Sequence, residues 1–200
     1  MAKRDRIAKI NRDTNETQIQ LTLNLDGGGY RHETGVGFFD HMLDHIAKHG
    51  RFGLKIMAKG DTHIDDHHTV EDVGIALGQA IDLALGDKRG IERYGFASIP
   101  MDESLARVSL DLSGRQAFVF AVSFNDPYGK IGTFDHQLVK EFFNAVVNNA
   151  KMNLHIEVPG YCAGGNDHHV AEGIFKAFGR ALRQAVAVTH DDIPSTKGVL

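Results

Sequence analysis

The chain repeats itself, and that constrains its fold more than any other feature. His67-His68-Thr69-Val70-Glu71 returns as His168-His169-Val170-Ala171-Glu172, an offset of 101 that also relates Gly78 to Gly179 and Ala80 to Ala181. Upstream, residues 40–56 align with 140–156 at an offset of 100, pairing Leu54 with Leu154, Ile56 with Ile156 and His41 with Glu141. Earlier still, residues 16–27 align with 103–114 at an offset of 87, Glu16 to Glu103 and Gly27 to Gly114. Three matches in one order describe two structural repeats, residues 1–90 and 91–190, followed by a tail at 191–200. The shift from 87 to 100 predicts a connection about 13 residues longer in the second repeat.

The halves share a pattern. Residues 19–25 alternate apolar and polar, as a half-buried strand does, and 107–112 do the same. Gly27-Gly28-Gly29 then predicts a hairpin turn, and Ser113-Gly114 precedes a strand over 117–124. Phe39, Met42, Leu43 and Ile46 fall at helical spacing, with Gly50 ending the run; 138–147 is the counterpart. Short strands follow at 54–58 and 152–158, then long helices at 68–85 and 169–188. The order is strand, strand, a possible third strand, helix, strand, helix. It predicts an α+β fold in which each repeat is a mostly antiparallel sheet with two helices on one face.

Chemistry enters through histidine. The chain holds 12, and eight lie in three short segments: His41, His45 and His49; His63, His67 and His68; His168 and His169. Imidazole is the commonest side-chain metal ligand. On a helix, residues three or four apart share a face, so Glu71 shares an ion with His67 or His68, and adjacent histidines point about 100° apart. A His-His-x-x-Glu motif therefore serves two ions, and its second copy, His168, His169 and Glu172, supplies the matching set. His41 and Glu141, at equivalent places on the preceding helices, complete two pseudo-symmetric sites. Imidazole and carboxylate without thiolate suit Mn²⁺, Fe²⁺ or Zn²⁺. His49 reads as a cation at a helix C-terminus, while His32, His136, His155 and His190 read as surface or turn residues.

Composition narrows the partners. A formal charge of −4 gives no electrostatic reason to expect nucleic acid or an anionic membrane. Nothing approaches the roughly 18 apolar residues of a spanning helix, no signal peptide is evident, and the one cysteine, Cys162, has no internal partner. The expectation is a cytoplasmic protein.

Gly37-Phe38-Phe39-Asp40-His41-Met42-Leu43, Asp65-Asp66-His67-His68-Thr69-Val70-Glu71-Asp72, Gly165-Asn166-Asp167-His168-His169 and Pro194-Ser195-Thr196-Lys197-Gly198 closely resemble the imidazoleglycerol-phosphate dehydratase family. Ile99-Pro100-Met101-Asp102-Glu103 and Ser113-Gly114-Arg115 extend the resemblance over nearly the whole chain. It implies a hydro-lyase of histidine biosynthesis that turns imidazole glycerol phosphate into imidazole acetol phosphate and water. It further implies a duplicated ribosomal-protein-S5-domain-2-like fold, two Mn²⁺ per active site, and a homo-oligomer of roughly 24 subunits with sites between them. His41, His67, His68, Glu71, Glu141, His168, His169 and Glu172 are then metal ligands. Glu16 is the acid/base at the reacting diol, with Glu172 or a metal-bound hydroxide as alternatives; His45, Arg93, Arg115, Lys176, Ser195 and Lys197 join Glu16 in holding substrate. Many relatives carry histidine where Glu141 stands, and the loop over 158–163 looks about three residues longer than usual.

The reaction gives metals a purpose. The proton to be lost sits on a carbon with no carbonyl beside it, so no enolate can form. Ions on both ring nitrogens favour an imidazolate that expels the hydroxyl to a diazafulvene, after which a carboxylate takes the carbon proton. Two other readings compete. Asp66-His67-His68 suggests a DHH-type phosphoesterase, but no Asp-x-Asp strand motif occurs before residue 60. A metal-organised shell protein explains the histidines but leaves Arg93, Arg115 and Ser195-Thr196-Lys197 without a purpose.

Overall fold

In the computed structural model, described over residues 5–125, 129–160 and 165–200, the duplication is written into the topology. The first repeat runs β1 (Ile7–Asp13), β2 (Thr17–Asn24), β3 (Tyr30–Glu33), α1 (Gly37–Gly50), β4 (Gly53–Gly60) and α2 (His67–Leu85). The second runs β5 (Tyr94–Met101), β6 (Ser104–Asp111), β7 (Ala117–Ala121), the small pair β8 (Lys130–Ile131) and β9 (Phe134–Asp135), then α3 (Gln137–Ala150), β10 (Asn153–Glu157) and α4 (Asp167–Ala185). The sheets are ordered β1-β2-β4-β3 and β5-β6-β10-β7, equivalent strand for strand. Register agrees as well: Leu21 faces Ile56 in one sheet, and Val108 faces Ile156 in the other. The extra β8–β9 hairpin falls in the connection whose added length the offsets predict.

Two of three strand pairings in each sheet are antiparallel, and the third, β3 with β4 or β7 with β10, is parallel. This corrects the reading of the glycine run as a hairpin turn. β4 pairs with β2 along its whole length and occupies the place β3 would take, so the chain crosses from β2 to the far side of β4. Gly27 and Gly28 are still needed there, at φ +114° and +138°, a region closed to side chains with a Cβ. β1 and β5, which have no expected counterpart in the sequence pattern, form sheet edges, and the edge is what admits Pro100 into β5.

The helix boundaries also differ in instructive ways. α1 ends on Gly50 as expected, but the left-handed cap that follows α1 and α3 is taken not by glycine but by Arg51 and Lys151, at φ 55° and 53°. Gly50 is required for space, because a Cβ there would strike the Phe52 ring. α4 stops at Ala185, three residues short of the expected end, since Val188 leaves to bridge Ile91. His32 and His136 are not surface residues. The His32 ring is enclosed with Nδ1 2.6 Å from Asp44, and His136 is buried and stacked on Phe124.

The four helices lie between the two sheets. α2 packs on its own sheet and on α3, while α4 packs on its own sheet and on α1. Phe39 of α1 meets Phe142 of α3, and Phe142 and Phe143 meet Phe175 and Phe178 of α4, with ring centroids 4.9–5.4 Å apart. Burying each such ring stabilises the fold by about 1.5–3 kcal/mol. The repeated glycines set the cross-repeat approach: Gly78 faces the carbonyl of Val146, and Gly179 that of Ile46.

Candidate metal centre

α1 and α4 bring three imidazoles, from both repeats, onto one carboxylate. Glu172 is buried, at 7% exposure. Its Oε2 lies 3.1 Å from His168 Nε2 and 3.5 Å from His41 Nε2, and its Oε1 lies 3.4 Å from His45 Nε2. His41 and His45 are 3.2 Å apart, one turn along α1. Lys176, one turn beyond Glu172, sets its ammonium 2.5 Å from Oε1. His168 is placed by the start of α4, where the Asn166 side chain accepts the His168 N–H, and the edge of Phe38 packs on its ring.

The electrostatics follow from burial. Desolvation works against the Glu172 charge but loses to the Lys176 hydrogen bond and the neighbouring imidazoles, which together hold its pKa at about 2. Desolvation takes His45 down to about 4, outweighing the attraction of Glu172, with His41, Lys176 and His49 repelling further charge. His49 is lowered for the same first reason, with Lys176 and Arg180 adding to it. A neutral imidazole has a free lone pair, so the cluster is prepared for a cation. Ligand atoms of His41, His45 and Glu172 all lie within 4.8 Å of one another. Imidazoles around an ionised carboxylate, with no thiolate, fit a borderline or hard divalent ion.

α2 carries the counterpart. His67 Nε2 is 3.6 Å from Glu71 Oε2, both half exposed, and His67 lines a cleft of about 610 Å³ together with Lys130 and Asp66. Glu141 sits on α3, which packs along α2, but its hollow is formed with Phe120, Phe124 and His136. Among the described residues no hydrogen bond or ion pair joins Glu141 to His67 or Glu71.

The second histidine of each motif turns away, as a 100° step requires. His68 Nδ1 lies 2.9 Å from Asp61, with Nε2 3.7 Å from Glu16. His169 Nδ1 lies 3.1 Å from Glu103, with Nε2 3.7 Å from Asp102. Sequence reasoning passes over Asp61, Asp102 and Glu103 as site residues. The offset of 87 that equates Glu103 with Glu16 was the available signal for one of them.

The remaining residues gather elsewhere. Arg93 is held by Asp111 at 2.7 and 3.0 Å and donates to the Pro194 carbonyl at 2.8 Å, anchoring the tail that carries Ser195 and Lys197. Leu200 lies against Gly114, beside the exposed Arg115. The Arg93 N–H donates to the Ala185 carbonyl at the far end of α4, 13 residues from Glu172. At 1.5 Å per residue, about 20 Å of helix separates the tail from the cluster around Glu172. The part of the 158–163 loop at 161–163 lies outside the described residues.

Comparison with known proteins agrees with these motifs. The family model for imidazoleglycerol-phosphate dehydratase matches residues 34–182. The dehydratase of Nitrosomonas eutropha is 56% identical over 199 residues, 98% of this chain and 100% of its own, and that of Caldicellulosiruptor saccharolyticus is 54% identical over 196 residues, 98% of each. Among solved structures, the Staphylococcus aureus dehydratase superposes with a TM-score of 0.82 at 44% identity, covering 92% of this chain and 99% of that one. The Pyrococcus furiosus enzyme in complex with (S)-C348 gives 0.83 at 34% identity, covering 96% and 100%.

Proposed function

The chain belongs to the imidazoleglycerol-phosphate dehydratase family, lyases of histidine biosynthesis, and from that premise we propose that it dehydrates imidazole glycerol phosphate to imidazole acetol phosphate with two Mn²⁺ ions per site. The observation that carries this reading is the convergence of His41, His45 and His168 on Glu172. It makes a pocket of three imidazoles around one anionic carboxylate, assembled from both repeats. His41, His168 and Glu172 would hold one ion and His67, Glu71 and Glu141 the other, with His68 and His169 as further ligands. Held there, such ions would supply Lewis-acid chemistry that favours loss of the hydroxyl.

The chain's own groups divide the remaining work. Both Glu172 oxygens are taken by Lys176 and three imidazoles, so it is poorly placed to accept a carbon proton. Glu16, half exposed and, among the described residues, with no side-chain partner nearer than 3.7 Å, is placed to do so and is the assigned acid/base. Arg93, Arg115, Ser195 and Lys197 would receive the phosphate, and Lys176 would face it from the metal side.

Those two groups are about 20 Å apart within one chain. A three-carbon phosphate arm is far shorter than that. The ring end from one copy and the phosphate end from another therefore make up one site, in a homo-oligomer of roughly 24 subunits. His68 and His169 support the same reading, since each presents Nε2 away from its own helix's ligand pair. The test is turnover by chelator-stripped protein before and after Mn²⁺ is restored. Product only with metal is expected. No product in either state, with the protein folded and the ions bound, would overturn the reading and leave a metal-organised shell.

A further inference from the structure

The two repeats solve one problem with different carboxylates. His68 and His169 each hold Nδ1 against a carboxylate. For His68 it is Asp61, from the connection between β4 and α2, at 2.9 Å. For His169 it is Glu103, from the turn between β5 and β6, with both oxygens at 3.1–3.2 Å. These are not equivalent positions, because Glu103 is the counterpart of Glu16. The stretch where a counterpart of Asp61 would fall, residues 158–165, contains no acidic residue at all.

We propose that Glu103 is a positioning residue that aims His169 at its ligand, and that Asp61, by doing the same for His68, releases Glu16 for the substrate. The inference rests on the metal-dependent reading above and deepens it by explaining why only one of two equivalent glutamates acts on the reaction. A carboxylate accepting from Nδ1–H fixes the tautomer whose Nε2 lone pair is free to ligate. Glu103 is itself locked, since Oε1 accepts the Asn166 N–H at 2.6 Å and Asn166 in turn caps α4. Glu16 has no such anchor on its carboxylate: the side chain is half exposed, and among the described residues its hydrogen bonds are those of its backbone, the N–H to Thr14 and the carbonyl to the Asp61 N–H. Asp61 is mostly enclosed, and its Oδ1 is buried with no partner among the described residues. An unpartnered buried oxygen is costly, and its retention fits a carboxylate kept for orientation rather than stability.

The test compares Glu103→Gln, Glu103→Asp, Asp61→Asn and Glu16→Gln in the full-length protein. Mn²⁺ alone is the probe, titrated into stripped protein and followed by the electron paramagnetic resonance of the free ion, with kcat measured at saturating metal. In Glu103→Gln the amide oxygen still serves Asn166, but the amide nitrogen faces His169 Nδ1 and favours the tautomer protonated on Nε2. One class of ions should bind about 10–100-fold more weakly, while Glu103→Asp restores affinity to within a few-fold. Asp61→Asn should weaken the other class and also lower kcat. Glu16→Gln should leave Mn²⁺ affinity unchanged and lower kcat alone. Unchanged affinity in Glu103→Gln, equal harm from Glu103→Asp, or equal loss of affinity in Glu16→Gln would each overturn the proposal. If Glu103→Gln does not fold, Asp61→Asn carries the test, and unchanged affinity there overturns it. Failure of the unaltered protein to bind Mn²⁺ would instead remove the metal-dependent reading, and this proposal with it.

Discussion

Gly179→Ala should loosen one metal site and spare the other. A Cβ at Gly179 would lie 2.9 Å from the Ile46 carbonyl, 3.1 Å from the Gly50 nitrogen and 3.2 Å from the Ile46 Cα, where ordinary contact begins at 3.4 Å. All three atoms are backbone, so α1 must retreat from α4 by about half an ångström. Ile46 shares α1 with His41, and Glu172 lies two turns up α4, so the shift enters the His41 to Glu172 separation of 3.5 Å directly. Metal–ligand distances tolerate only about 0.2 Å. Against this, alanine is the better helix former by about 0.8–1.0 kcal/mol, while overpacking costs about 1–3 kcal/mol. Metal-free stability should therefore fall by no more than about 2 kcal/mol, whereas Mn²⁺ affinity in the α1–α4 site should fall about tenfold or more. Gly78→Ala, whose Cβ would lie 2.6 Å from the Val146 carbonyl, should do the reverse and weaken only the α2–α3 site. The assay is a Mn²⁺ titration of each stripped variant, beside its thermal midpoint. Equal weakening of both classes of ion in either variant would refute the reasoning, as would lost stability with unaltered affinity.

His168→Ala should lose both an ion and the large assembly, and a metal-loaded, full-size particle by metal analysis and sizing would contradict that. Glu16→Gln should retain assembly while turnover falls about 10²–10⁴-fold, checked by product formation at saturating Mn²⁺. Burial lowers the His32 pKa from 6.5, with Asp44, Asp40 and the Leu54 backbone opposing the shift. The unfolded chain thus binds the extra proton first as pH falls below 6.5, so stability is full above that pH and declines beneath it. His32→Gln should flatten the fall in the metal-free thermal midpoint between about pH 7 and pH 5, and an unchanged slope would show that His32 titrates normally.

Much of the architecture was legible because duplication supplies an internal alignment. Leu21 with Ile56 and Val108 with Ile156 recur at the offsets that the motifs define. Strand pairing was not legible, because local turn chemistry at Gly27-Gly28-Gly29 says nothing about β4 arriving later to pair with β2. Within the site, helical spacing leaves open whether the first or second histidine of each motif shares a face with its glutamate, and the structure selects the i, i+4 partners His67 and His168. Nor does spacing predict that His45 reaches Glu172, since that depends on how α1 crosses α4. The enclosed His32 and His136 escaped notice for a similar reason: a histidine buried by tertiary packing has no periodic signature.

The reciprocal packing of the helices has a consequence for the chain's history. α1 of the first repeat rests on α4 of the second, and α3 of the second rests on α2 of the first. Contacts of the form i to j and j to i are those of an isologous two-fold interface. The molecule is in this sense a dimer fused into a single polypeptide, with the segment between α2 and β5 serving as a tether. In a dimer of identical halves, any change to one side chain is forced upon both. Covalent fusion removed that constraint, which is how His41 can face Glu141 across the pseudo-axis and Asp61 can have no acidic twin.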